Sequence, residues 1–141
     1  MWNSQRPFLY LTLGIIQAIH SIEEYLTHLP NHFPIITGYL HKMTSFFPVL
    51  RMSDQTFVVL NILIITFILS IGAFVYQKKH WALKVAKVVA VVEILNGIAH
   101  ISSAIFVWNY YPGCISAIGL LVVGVLFFVK AVNLSYPSPL R

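Results

Sequence analysis

The segment DQTFVVLNILIITFILSIGAFVY, residues 54–76, predicts a membrane-spanning helix. Its only charged residue is Asp54 at the start, and it is long enough to cross the hydrocarbon core of a bilayer, which needs about 20 apolar residues in a helix. Three further segments are also long enough, namely Pro7–His28, Leu83–Tyr110 and Cys114–Leu134. The sequence therefore predicts an all-α protein, a four-helix transmembrane bundle that forms one integral membrane domain over residues 1–141.

The composition supports a membrane protein. Of the 141 residues, 58% are hydrophobic and 9% are charged, whereas about a quarter of the residues in soluble domains are charged. We predict a polar loop at Leu29–Ser53, a basic link around QKKHW (77–81) and a tight turn at YYPGC (110–114). Since Pro112 and Gly113 do not readily continue a helix, the last two segments should form an antiparallel hairpin.

The distribution of basic residues predicts the orientation. With an even number of spans, one side of the membrane receives Arg6, Lys78, Lys79, Lys84, Lys87, Lys130 and Arg141. The other side receives only Lys42 and Arg51. By the positive-inside rule, the chain is a multi-pass protein of the cell membrane with its N- and C-termini in the cytoplasm. The net charge of +5 follows from this topology, so we expect no nucleic-acid partner.

The polar residues inside the predicted helices lie at a similar depth in the membrane. They occur as HSIEEYL (20–26) in the first segment and as EILNGIAH (93–100) in the third, which runs in the same direction. His20 lies about 20 Å from the cytoplasmic end of its helix, and Asn61 of the descending second segment reaches a similar level. Because carboxylates facing lipid cost several kcal/mol, we expect these side chains to face the bundle interior.

Histidine and glutamate at these spacings are typical of metal sites in helical bundles. The predicted metal ligands are His20, Glu24, Glu93, Asn96 and His100. Such ligands suit zinc, iron or manganese, with one or two ions bound. Glu23 is the predicted general base, although the unknown rotation of the first helix leaves the roles of Glu23 and Glu24 exchangeable. A proton relay through the same residues is the alternative, and Gln17 and Asn61 are explained by hydrogen bonds between helices.

Such a site predicts a membrane-embedded, metal-dependent hydrolase that acts on a lipid-like substrate from the outer leaflet. Two redox-active ions would instead support oxidation of a hydrocarbon chain. A carrier of protons or divalent ions is a further alternative, but VAKVVAVV (85–92) and IGLLVVGVLFFV (118–129) suggest a closed inner barrier. The predicted partners are membrane lipids, and a homodimer would be unsurprising because four helices form a thin bundle. A structural subunit of a larger complex also stays open.

Three short motifs suggest a family. HSIEE (20–24) fits H-x-x-E-E, NGIAH (96–100) fits N-x-x-x-H and YYPG (110–113) fits Y-x-P-G. In this order, on a small membrane chain, they resemble the HXXEE-domain family of bacterial and archaeal membrane proteins. The resemblance implies functional roles for His20, Glu23, Glu24, Asn96, His100, Tyr110, Pro112 and Gly113, with Tyr110 a catalytic candidate. Glu93 is not part of these motifs, and we add it as a candidate only because it lies on the same helix face as Asn96 and His100.

Overall fold

The computed structural model describes residues 5–132, and over this range the chain contains helices and no strand. The helices are α1 (Gln5–Leu26), α2 (Phe33–Thr44), α3 (Asp54–Tyr76), α4 (His80–Val107) and α5 (Cys114–Val132). A 3₁₀ turn, Leu29–His32, connects α1 to α2. The prediction of an all-α protein is therefore confirmed.

Three helices in the described part of the chain, α3, α4 and α5, are long and apolar enough to cross a membrane. Helix α1 has 22 residues, but its buried face carries Arg6, Gln17, His20 and Glu24, which lower its mean hydropathy. The membrane location thus rests on three helices. The fourth span, at α1, stays a prediction.

The helix boundaries agree closely with those predicted. Helix α3 has the predicted ends, whereas α1 and α4 begin and end two to three residues earlier than predicted. Helix α4 stops at Val107 because Trp108 adopts a left-handed conformation, with φ of 49°. Helix α5 begins at Cys114 as predicted. The predicted end at Leu134 and the chain termini lie outside the described residues.

The region predicted as a loop between the first two spans is partly helical, so that prediction was wrong. Helix α2 occupies Phe33–Thr44, with a proline in its first turn. Proline is tolerated there because the first backbone N–H groups of a helix have no partner within it. The proline therefore marks the start of a helix here, rather than a loop.

Four long helices form the bundle. Helices α1 and α4 each contact both α3 and α5, and they have few contacts with each other. They therefore face each other diagonally across the bundle. Small residues let α4 and α5 approach closely, since a Cβ atom on Gly97 would lie 2.9 Å from the Ala117 carbonyl oxygen, and one on Gly124 would lie 2.8 Å from Ile94 Cγ1. Helices α4 and α5 therefore pack closely at Gly97 and Gly124.

Candidate metal centre

Two imidazoles and one carboxylate converge between α1 and α4. Glu24 Oε1 lies 3.2 Å from His20 Nε2 and 3.1 Å from His100 Nε2. One ligand atom from each residue falls within 4.8 Å of the other two. The imidazole rings are nearly perpendicular, at 87°, with centroids 4.7 Å apart. The exposed fractions of His20, Glu24 and His100 are 0%, 6% and 8%, so the cluster is closed to bulk solvent.

The spacing in α1 brings His20 and Glu24 to one face, because residues four apart are neighbours on a helix. Both belong to the buried face of α1, and His100 belongs to the buried face of α4. The diagonal arrangement of these two helices then closes the cluster across the bundle.

The Nδ1 atom of each imidazole, the ring nitrogen that does not face Glu24, is hydrogen-bonded to an oxygen atom. His100 Nδ1 lies 2.6 Å from the Pro112 carbonyl oxygen, which can only accept, so this nitrogen carries the proton. His20 Nδ1 lies 2.9 Å from Ser116 Oγ, whose own proton is donated to Glu23 Oε2 at 2.5 Å. Histidine ligands of metals are usually held in this way by an oxygen at the second nitrogen.

This hydrogen bonding leaves three acceptors facing one another. When both imidazoles are neutral, their Nε2 lone pairs point toward the Glu24 carboxylate. His20 Nε2 lies within ion-pair distance of Glu24 but lacks the geometry of a hydrogen bond, and it has no hydrogen-bonding partner. Convergent buried acceptors are stable only with a cation or added protons between them. The donor set therefore fits a divalent metal.

Glu23 points to a different wall of the bundle from Glu24. Its carboxylate accepts hydrogen bonds from the Tyr110 hydroxyl at 2.7 Å, from Ile115 N at 3.2 Å, and from Ser116 N and Oγ at 2.8 Å and 2.5 Å. A carboxylate is favourable here because the start of α5 presents unpaired N–H groups. Glu23 is thus linked to the cluster by Ser116, whose Oγ atom is hydrogen-bonded to both Glu23 and His20.

Tyr110 contributes a protonated donor to this arrangement. Burial and its hydrogen bond to the Glu23 carboxylate raise the pKa of the Tyr110 phenol. The phenol therefore keeps its proton at neutral pH and donates to Glu23. The structure accordingly brings both predicted catalytic residues together, at the start of α5.

Gly113 packs directly against the cluster. It has a φ of +82°, and an added Cβ would lie 2.8 Å from His20 Cε1, 2.9 Å from His100 Nδ1 and 3.1 Å from Glu24 Cγ. Only glycine satisfies both the backbone conformation and the close approach. The tight turn therefore provides the Pro112 carbonyl and leaves room for both imidazoles.

One of the predicted ligands, Glu93, lies apart from this group. Glu93 is not among the ligand atoms that converge in the described residues; it is 4% exposed, and its side chain is hydrogen-bonded by Asn96. Ser116 and the Pro112 carbonyl were not predicted from the sequence as partners of the imidazoles. The available signal was a serine three residues after Gly113, at the start of a helix, where hydroxyl groups often make local hydrogen bonds.

The other polar residues have the structural partners expected of them. Gln17 Nε2 donates to Ser21 Oγ at 3.3 Å, Ser21 Oγ donates to Asn61 Oδ1 at 2.6 Å, and Asn61 Nδ2 donates to the Phe57 carbonyl at 3.0 Å. This series joins α1 to α3 and confirms that Asn61 lies near the level of the cluster.

An apolar groove of about 380 Å³ lies between α4 and α5 and is lined by Ile101, Ala104, Ile105, Trp108, Cys114 and Ile118. Ala104 and Cys114 pack against a small core that includes Tyr111, whose ring centroid is 5.8 Å from that of His100. A larger groove of about 650 Å³ includes Pro7 and Lys78 in its lining. It lies about 20 Å from His20 along α1. The smaller groove is therefore the one beside the cluster.

The fold and the site together define a class of helical protein, with membrane-length helices enclosing a buried His₂Glu cluster that suits a metal. The chain belongs to the family described as "Protein of unknown function with HXXEE motif", whose profile matches residues 11–128. No curated protein and no solved structure matches the chain significantly. The family resemblance in the sequence is thus confirmed, and the function must be argued from the site.

Proposed function

We propose that this protein is a membrane-embedded, metal-dependent hydrolase acting on a lipid-like substrate. The observation that carries the proposal is the convergence of three buried acceptor atoms, from His20, Glu24 and His100, while the outer nitrogen of each imidazole is held by an oxygen. Three protein ligands, with room for a fourth, are typical of catalytic zinc sites.

We further propose that α1 is the fourth span and that both termini are cytoplasmic. The 22 residues of α1 measure about 33 Å, and most of its polar residues belong to its buried face, namely Arg6, Gln17, His20, Ser21 and Glu24. With the basic residues inside, the cluster lies in the outer half of the membrane. A substrate would therefore enter from the outer leaflet or from outside.

Each residue near the centre has a defined part in this proposal. A bound divalent ion would act as a Lewis acid and activate water for attack on an ester or amide. His20, Glu24 and His100 hold the ion, while Ser116 and the Pro112 carbonyl orient the imidazoles. Glu23 is the proposed base, which would accept the proton of the attacking water, and its hydrogen bond from Ser116 Oγ links its position to that of His20.

The apolar groove between α4 and α5 supports a lipid-like substrate. Its lining is apolar and open, with Ile105, Trp108 and Ile118 exposed. Ala104 and Cys114 of the groove pack against the small core that includes Tyr111, and the Tyr111 ring lies beside that of His100. A hydrocarbon chain in the groove would bring its polar end toward the cluster past Tyr111.

Oxidation of a hydrocarbon chain by two redox-active ions is the weaker alternative. Sites with two ions in helical bundles draw on four carboxylates and two histidines. The cluster contains one carboxylate, and Glu93 lies apart from it. A hydrolase with one ion accounts better for these residues.

Elemental analysis of detergent-purified protein tests the proposal. We expect about one zinc, iron or manganese ion per chain, with loss of the ion in His20→Ala and in His100→Ala. His41→Ala is the matched control, since His41 bonds to the Phe47 carbonyl away from the cluster. Folded protein without metal, after purification free of chelators, would refute a metal enzyme and leave the proton relay as the function of these residues.

A further inference from the structure

Helix α2 exposes its apolar face. At about 100° per residue, the side chains of Ile35, Ile36, Tyr39, Leu40 and Met43 lie within an arc of about 140° on this helix. All five side chains are exposed, and Ile35, Tyr39 and Met43 are 59%, 67% and 82% exposed. A helix on the surface of a soluble protein buries its apolar face and exposes its polar face. The orientation of α2 is the reverse of this arrangement.

The polar side of α2 faces the protein. Thr37 is the buried residue of this helix, and its Oγ1 atom accepts a hydrogen bond from Leu50 N at 2.9 Å. His41 Nδ1 lies 2.8 Å from the Phe47 carbonyl oxygen and donates to it. The segment after α2 therefore folds back along the polar side of the helix, and the described part of the chain leaves the apolar arc uncovered.

Helix α2 begins at a membrane face. Its 12 residues measure about 18 Å, which is too short to cross the hydrocarbon core. The ring of Phe33, its first residue, lies beside that of Phe57, with centroids 6.4 Å apart. Phe57 belongs to the first turn of α3, which begins at Asp54 and is long and apolar enough to cross a membrane. The first turn of a spanning helix lies near the membrane surface, so α2 starts there.

The charges around the apolar arc suit lipid headgroups. Residues 25–53 contain no Asp or Glu, whereas Lys42 and Arg51 are basic and exposed. Lys42 lies at the edge of the arc, with Nζ 5.9 Å from the centroid of the Tyr39 ring. Lysine and tyrosine in such positions are typical of the headgroup level of a membrane. A second copy of the chain would instead bring the same basic residues together, without an acidic partner on this segment.

We propose that α2 is an interfacial helix, which lies on the membrane surface with its apolar arc in contact with lipid acyl chains. Phe46, which follows α2 and is 84% exposed, extends the same contact. Interfacial helices bury their apolar face about 5–10 Å into the boundary between headgroups and acyl chains. With both termini in the cytoplasm, the lipids in contact with α2 are those of the outer leaflet. The proposal depends on the membrane location of the chain and not on a bound metal.

Fluorescence quenching in vesicles tests this contact. In a Cys114→Ser background, Met43→Cys and Tyr39→Cys each place a nitrobenzoxadiazole label on the apolar arc. The matched controls are His41→Cys and Thr44→Cys, since both residues are exposed on the same helix but lie outside the arc. Each full-length protein is reconstituted into vesicles of phosphatidylcholine and phosphatidylglycerol. One quencher is a lipid with a nitroxide at a shallow carbon of its acyl chain, and the other is aqueous iodide.

The two quenchers should give opposite results on the two sides of the helix. We expect the labels at Met43 and Tyr39 to be quenched mainly by the lipid nitroxide, and those at His41 and Thr44 mainly by iodide. Equal quenching of all four labels by the nitroxide would overturn the proposal. Protection of the Met43 and Tyr39 labels from both quenchers would indicate contact with protein and would also overturn it. If one variant on either side does not fold, the other variant on that side decides.

Discussion

Replacing Gly113 by alanine should damage the centre without removing any of its ligands. The new Cβ would lie 2.8 Å from His20 Cε1 and 2.9 Å from His100 Nδ1, distances that real Cβ atoms essentially never show. Both rings must therefore move, or the turn must move away from them. Either change weakens the hydrogen bond between His100 Nδ1 and the Pro112 carbonyl, now 2.6 Å long.

Two separate costs follow from this geometry. The φ of +82° at residue 113 is unfavourable for alanine, which loses roughly 1–2 kcal/mol in a left-handed conformation. Disturbing the outer hydrogen bonds of metal ligands typically reduces metal affinity about 10- to 100-fold. We therefore expect Gly113→Ala to be less stable by about 1–3 kcal/mol and to bind metal at least about tenfold more weakly.

Metal titration and thermal unfolding in detergent measure both effects. Gly124→Ala is the control because its Cβ would lie 2.8 Å from Ile94 Cγ1, which gives similar crowding without contact to the cluster. Gly124→Ala should lose stability but keep its metal affinity. The reasoning would be refuted if Gly113→Ala bound metal as tightly as the wild type, or if both variants lost affinity equally.

Three further predictions follow from the site and the topology. Glu24→Gln should bind metal about 10- to 100-fold more weakly, and excess metal should restore part of its activity. Glu23→Gln should keep its metal and lose about 10²- to 10⁴-fold in kcat. Full metal content and full activity in both variants would exclude the assigned roles. Ser116→Ala should reduce metal affinity about 10- to 100-fold because His20 loses its outer partner, and an unchanged titration curve would contradict this. Cysteines placed at Lys42 and at Lys79 in a Cys114→Ser background should react with an impermeant reagent from outside only at Lys42, and labelling at Lys79 alone would reverse the orientation.

The helical class, the turn at 110–113 and the family could all be predicted from the amino-acid sequence. These properties depend on local features, since the length and hydropathy of α3 identify a membrane helix without knowledge of its neighbours. The same local reasoning failed at α2, where a proline in the first turn of a helix was taken as part of a loop. It did identify His20, Glu24 and His100, because carboxylates and imidazoles within apolar segments are unusual.

How these residues combine depends on the packing of the helices, which local sequence patterns do not specify. The rotation of α1 about its axis sets whether Glu23 or Glu24 contacts the imidazoles. The packing of α1 against its neighbours places Glu24 inside the bundle, and no single segment of the sequence encodes this packing. Ser116 joined the site because α5 brings its first turn against α1, 96 positions away from His20. Glu93 shares a helix face with His100 but lies about 10 Å from it along the axis, so it is not among the ligand atoms that converge in the described residues. Spacing along one helix predicts a shared face, whereas a shared site depends on where the facing helix presents its own side chains.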